Sequence, residues 1–247
     1  MNWTRERLKE NGKIAFKRNY WSCVAVAVIM GIIAGITGIG GSRSGSGVQY
    51  QNYSGGYGYA SGQHTLFSIP GITVGLAVVS AAVLTTVVVC ALNIFVGNPI
   101  EVGGKRFFVL NKTEAASIET ILDGFKSGQY VNIVLTMFLK NLFTTLWGLL
   151  LIIPGIVKHY EYLMIPYILA ENPGMDRKEA FKISKRMMDG QKMETFILDL
   201  SFIGWALLSA ITCGIVGIFY ANPYREATFA ELYAFNKAKA YEEGYIR

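Results

Sequence analysis

Residues 130–157 read YVNIVLTMFLKNLFTTLWGLLLIIPGIV, and this stretch decides the fold class. Between Tyr130 and Ile153 the only charged side chain is Lys140, and Pro154-Gly155 then interrupts the run. An apolar run of about 18 residues or more is long enough to cross the hydrocarbon core of a bilayer as a helix. Outward from it, further apolar runs lie at 22–40, 71–97, 156–171 and 195–221. Charged residues make up 16% of the chain and hydrophobic ones 52%, whereas soluble domains carry about 25% charged residues. The deficit sits inside these runs. The expectation is therefore an all-α polytopic membrane helix bundle, with about six transmembrane helices and interfacial amphipathic helices.

The segments between the runs carry the basic residues. Residues 1–21 hold Arg5, Arg7, Lys9, Lys13, Lys17 and Arg18 with Trp3, Tyr20 and Trp21, which reads as a basic interfacial N-terminal helix with rings at headgroup level. Residues 22–97 form spans 1 and 2 around a Gly/Ser/Tyr-rich external loop at 41–66, too polar to pack. In span 1, Ala27, Gly31 and Gly35 recur every fourth residue, and packing within the chain is preferred to a dimer face. Span 2 is expected to end at Gly97-Asn98-Pro99, followed by a cytoplasmic connector at 98–128 in which Val102-Gly103-Gly104-Lys105-Arg106 is a span-flanking turn. A four-helix core fills 129–233, turning at Pro154-Gly155, and 234–247 is a C-terminal tail. Within that core, 172–193 reads as a cytoplasmic amphipathic helix. Asp176 and Glu179 cap it, and Arg177, Lys178, Lys182, Lys185 and Arg186 surround a stripe of Ala180, Phe181, Met187 and Met188.

Residues 195–221 admit two readings, a single span or the start of a hairpin broken at Thr212-Cys213-Gly214. The hairpin keeps every Lys and Arg except Arg43, Lys140 and Lys158 in segments on the inner side, as the positive-inside tendency requires. A faint repeat also favours it: LLLIIPGIVKHYEY at 149–162 parallels LSAITCGIVGIFYA at 208–221, and a Pro-Tyr pair follows each. Both termini are then cytoplasmic.

LWGLLLIIPGIVKHYEY (146–162), IPYILAENPGM (165–175), EAFKISKRMMDG (179–190), LDLSFIGWALLSAITCGI (198–215) and PYREATFAELY (223–233) stand in this order. From Asp123 to Tyr233 the chain thereby resembles the bacterial membrane family called domain of unknown function 975, with a weaker match at 8–21. The resemblance implies a multispan protein of Gram-positive plasma membranes and implies no reaction. It is also distantly similar to the membrane domain that accompanies some glycerophosphodiester phosphodiesterases, whose catalytic barrel has no counterpart here.

Catalytic patterns are few. The two histidines, His64 and His159, belong to no HExxH or HxH pattern, and Cys23, Cys90 and Cys213 all fall in apolar runs without CxxC spacing. No GxSxG or GxxxxGK[ST] element is present. No catalytic, cofactor-binding or metal-binding residue is assigned and no cofactor is expected. The net charge of +6 follows the span ends, which points to a bilayer with anionic headgroups rather than to nucleic acid. Arg177, Lys178, Lys182, Lys185 and Arg186 are the candidate lipid contacts; a second copy or another membrane protein is a candidate partner.

Charges inside apolar runs are costly unless paired or wetted. Lys140, Asp199, Arg225 and Glu226 form a candidate intramembrane polar cluster, because alignment of Gly155 with Gly214 puts all four at similar depth. Pairing of Lys140 with Asp199, or of Asp199 with Arg225, would lock the helices together. The competing expectation is that Lys140 and Arg225 snorkel to the inner headgroups. Glu161, beside Lys158 and His159, is expected near the outer turn in solvent. Three functions stay open: a non-enzymatic accessory, structural or envelope-protective role; a small-solute transporter or channel built on Lys140 and Asp199; and a lipid-modifying enzyme. A cavity reaching Lys140 and Asp199 favours the second.

Overall fold

The computed structural model describes residues 3–37 and 69–246. The loop at 41–66, with His64, lies outside the described residues. The described residues are helical, without strands. Three helices are long and apolar enough to cross a membrane, Val79–Leu110, Tyr130–Leu150 and Lys192–Ile211, and there are four if the bent pair Arg5–Arg18 and Tyr20–Gly35 counts as one span.

Helix α1 (Arg5–Arg18) starts at Thr4, whose hydroxyl accepts from the Arg7 amide, and meets α2 (Tyr20–Thr37) at a 103° bend. Asn19 makes that corner, its amide donating to Asn111 Oδ1 and to the Ala116 carbonyl, both at 2.9 Å. The apolar face of α1, Leu8, Gly12, Ala15 and Phe16, is buried. It lies on α12 (Asn222–Glu242), so close that a Cβ on Gly12 would meet the Thr228 backbone at 2.8 Å. The expected interfacial helix is thus docked on protein through its apolar side, and its cationic side, with Ile14, remains outside. In α2, Ala27 is buried, but a Cβ added at Gly31 or Gly35 would have nothing within 4 Å. Among the described residues, the small-residue stripe therefore does not pack beyond Ala27.

Helix α3 (Ile69–Leu92) does not end at Gly97-Asn98-Pro99. It runs through a π turn, Asn93–Gly97, directly into α4 (Asn98–Leu110). Proline lacks an N–H and its ring collides with the carbonyl four residues earlier. The wider π register relieves this, the Asn98 amide reaching Asn93 O, five residues back. Residues 102–106 are accordingly helix interior and not a turn. The two glycines there are close-packing positions. A Cβ on Gly103 would overlap the Ile121 carbonyl oxygen, and one on Gly104 would overlap Met30 Sδ. A 3₁₀ turn (Ile118–Leu122) and α5 (Asp123–Lys126) close over α4.

Helix α6 (Tyr130–Leu150) reverses at Leu151, the one extended residue before α7 (Ile152–Glu161). The turn therefore precedes Pro154, which sits in the first turn of α7 where its missing N–H costs nothing. Gly155 lets α7 touch α6, its Cβ position lying 2.5 Å from Gly148 Cα. A break at 162–164 precedes α8 (Ile165–Glu171), so 156–171 is two helices rather than one span. Helix α9 (Arg177–Met187) follows, capped by Asp176, whose carboxylate accepts from the Lys178 and Glu179 amides.

Helices α10 (Lys192–Leu200) and α11 (Ile203–Ile211) lead to the second reversal. Cys213 and Gly214 take φ of 50° and 88°, the left-handed region that glycine enters freely. The Gly214 amide donates to Ser209 O at 2.7 Å, while Thr212 Oγ1 donates to Leu208 O and accepts from the Val216 amide. A second π turn, Gly217–Ala221, then enters α12. Residues 195–221 thus form a hairpin and not a single helix. Helix α12 continues to Glu242 with Asn236 and Ala240 buried, so the first part of the C-terminal tail, residues 234–242, is packed helix.

Two surfaces result. Residues of α1, α4, α8, α9 and α12 form a dense core around Phe16, Phe107, Phe108, Tyr167 and Leu232. The tips of the two hairpins and the outer faces of α3, α6 and α11 expose large apolar side chains, Leu149 at 83% and Ile211 at 79% among them. At about 25 cal/mol per Å² of apolar surface, water is a poor solvent for that second face and hydrocarbon a good one. This is a membrane protein.

Candidate functional site

The site lies where α2, α4, α6, α7, α10 and α12 leave a cavity of about 810 Å³ between them. Helix α6 supplies Lys140, whose ammonium is 3.2 Å from Glu101 on α4. Helix α10 supplies Asp199, whose Oδ1 accepts from Nε and Nη2 of Arg225 on α12, both at 2.7 Å. The other oxygen of Asp199 accepts from the Tyr160 hydroxyl at 3.1 Å. Arg225 also stacks on Phe229, its guanidinium carbon 4.7 Å from the ring centre, so its charge is engaged both at the edge and on the face of the guanidinium. All four charged residues line the cavity.

The expected cluster of Lys140, Asp199, Arg225 and Glu226 is thereby divided. Asp199 and Arg225 are brought together. Lys140 turns to Glu101, and Glu226 pairs with Lys105 in the protein core, where Lys105 is 2% exposed. The Lys140 and Arg225 side chains are 14% and 16% exposed and held in ion pairs. Glu161, expected in solvent, is buried between Lys158 at 2.8 Å and Lys192 at 3.0 Å, and its carbonyl accepts from the Ser184 hydroxyl. Its helix descends from the tip at Leu151, which carries it away from the outer turn.

Glu101, Lys105 and Tyr160 escape the sequence reading, the first two because 98–128 looks like a connector. One signal could have found the first of them. Ile94-Phe95-Val96-Gly97-Asn98-Pro99-Ile100-Glu101 and Ile218-Phe219-Tyr220-Ala221-Asn222-Pro223-Tyr224-Arg225 share Ile-Phe, a small residue, Asn-Pro and a final charge in one register. Both pass through a π turn and open a helix with proline in its first turn. The final charges, of opposite sign, are the cavity's Glu101 and Arg225. Beside the first copy, Asn98 is 2% exposed, accepts from Asn141 at 3.2 Å, and leaves its own amide nitrogen without a partner.

The five candidate lipid contacts, Arg177, Lys178, Lys182, Lys185 and Arg186, are all on α9 and all exposed. Arg186 also lies over Tyr245, 4.2 Å from the ring centre. The stripe beneath them is buried in protein at Ala180, Met187 and Met188 and partly buried at Phe181, so α9 presents its cations outward without inserting an apolar face.

Residues 149–238 match a family model described as protein of unknown function (DUF975). Over this stretch, about a third of the chain, the sequence is similar to the DUF975 family. The matched region is narrower at its start than the resemblance read from the sequence and extends five residues beyond Tyr233. It holds Asp199, Arg225 and Glu226, whereas Glu101, Lys105 and Lys140 precede it. No curated protein and no solved structure matches the chain. Among the described residues, no group of three or more His, Cys, Asp or Glu is placed to hold a metal ion.

Proposed function

We propose that this chain is a multi-pass protein of the bacterial plasma membrane that binds and passes a small solute through its central cavity. The observation that carries this is the cavity itself: about 810 Å³, reaching Lys140 and Asp199, with two ion pairs in its wall. That volume lies within the range of small-molecule sites, about 300–1,000 Å³. Broken helices with Pro and Gly in corresponding positions are the form that transporters use to build sites away from the membrane surface. In this reading α2, α3 and the two hairpins make six crossings, and both termini face the cytoplasm. The paired charges also favour a second reading, an accessory protein whose ion pairs only lock the bundle, and solvent access separates the two. In a background with Cys23, Cys90 and Cys213 replaced by Ala, Thr144→Cys and Ala206→Cys should react with a small water-soluble methanethiosulfonate in reconstituted vesicles. Leu142→Cys, on the lipid-facing side, should not. If the two cavity cysteines react as slowly as Leu142→Cys, the cavity is dry and the accessory reading replaces transport.

The bilayer partner proposed here is the anionic inner leaflet, engaged by the outward cations of α1 and α9. Each Lys or Arg near such a surface contributes about 1 kcal/mol and is screened within a Debye length. Protein extracted from mixed phosphatidylglycerol and phosphatidylcholine membranes should retain the anionic lipid preferentially. A Lys182→Gln, Lys185→Gln, Arg186→Gln variant, or about 0.5 M salt, should reduce that preference. Equal retention of both lipids by the wild type counts against it.

A further inference from the structure

Resting on the solute-cavity reading, we infer that the ligand is zwitterionic with an apolar body, its cationic group received by Glu101 and Asp199 and its anionic group by Lys140 and Arg225. The charges in the wall balance: two cations, two anions, each already held by one opposite partner. A singly charged ligand would leave one of them uncompensated in a medium where an unpaired charge is expensive. A dipolar ligand can exchange with the internal partners one for one and keep the sum at zero. The repeated Ile-Phe-x-small-Asn-Pro segments supply the geometry for this. They place an acid, Glu101, and a base, Arg225, at the same register of two similar helices that both line the cavity. Toward the hairpin tips the lining turns apolar, through Ile33, Gly148, Ile152, Ile156 and Ile203. That part of the wall fits hydrocarbon, not a second polar group. The orphaned Asn98 amide, next to cavity-lining Gly97 and Asn141, is a donor that needs an acceptor there.

Such a zwitterion could reach the cavity from water or from the bilayer, and the test separates the two. The full-length protein in dodecyl maltoside is titrated calorimetrically with leucine, leucinamide and 4-methylpentanoate, and in a second series with hexylphosphocholine, hexyltrimethylammonium and hexyl sulfate. In one of the two series the zwitterion should bind at least about tenfold more tightly than both singly charged relatives. The leucine series identifies a water-borne ligand and the hexyl series a membrane amphiphile. Whichever neutralised variant elutes as a single species, Glu101→Gln with Lys140→Met or Asp199→Asn with Arg225→Gln, should lose that advantage. Equal binding within both series, tighter binding of a singly charged compound, or no binding in either overturns the inference. If the cavity cysteines nonetheless react with the water-soluble reagent, only the ligand class has failed; if they do not, the solute reading has failed with it.

Discussion

Lys105→Met should destabilise the folded chain by about 3–5 kcal/mol, the cost of removing one partner from a buried ion pair. Lys105 points from α4 into the core, where it pairs with Glu226 of α12 and lies 5.0 Å from the centre of the Tyr167 ring. Both residues of the pair are less than a tenth exposed. The substitution leaves the Glu226 carboxylate in a site closed to water, where it must either remain charged without its partner or take up a proton. At about 2–4 °C per kcal/mol for a chain of this size, the thermal midpoint in detergent should fall by roughly 6–20 °C. The double variant Lys105→Met, Glu226→Met removes the whole pair and should recover most of the loss, since apolar replacements of similar volume are often neutral or stabilising. The cycle therefore has a sign as well as a size. A single variant that melts with the wild type, or a double variant that loses the sum of the two single effects, would show that the pair does not hold α4 to α12.

The parts of this fold that hydrocarbon dictates are legible in the sequence, and the parts that protein contacts dictate are not. Residues 130–150 and 192–211 announce themselves by composition, and Cys213-Gly214 marks the second reversal because glycine tolerates positive φ. Amphipathicity identifies α1 and α9 as helices with one basic side. It does not say what covers the other side, and here that is α12 and the protein core rather than lipid. Val102-Gly103-Gly104-Lys105-Arg106 reads as a turn because two glycines and two cations usually make one. Only the Ile121 carbonyl and the Met30 side chain explain why those glycines stand inside a helix. The polar site was half visible for a related reason. Charges inside apolar runs attract notice, so Lys140, Asp199 and Arg225 stand out, while Glu101 hides in a segment that looks hydrophilic. Its position becomes readable when 94–101 is laid beside 218–225, because a repeated Asn-Pro with opposite charges three residues after each Asn is a pattern that one copy alone does not show.

Gly103→Ala should be the most damaging glycine-to-alanine change among the described helical residues and is expected to cost about 3 kcal/mol, the upper end of overpacking. By helix propensity alone, Ala in place of Gly is favourable by about 1 kcal/mol, so intrinsic preference and packing predict opposite signs. Packing decides here because of what the methyl would meet. It would overlap the carbonyl oxygen of Ile121 outright and stand 2.6 and 3.0 Å from the carbonyl carbon and Cα of the same residue. These are backbone atoms of the 3₁₀ turn that closes over α4, and no side-chain rotation can move them aside. Relief requires the whole Ile118–Leu122 turn to lift, which would also uncover Ile121, itself buried. Gly204→Ala on α11 is the matched control, since nothing lies within 4 Å of its Cβ position, and there the propensity gain should appear unopposed. In detergent the Gly103 variant should melt roughly 6–12 °C below the wild type, and the Gly204 variant at or slightly above it. If both variants behave alike, the close approach of α4 to the Ile118–Leu122 turn is not a feature of the folded protein, and the burial of Lys105 two residues further along the same helix loses its support.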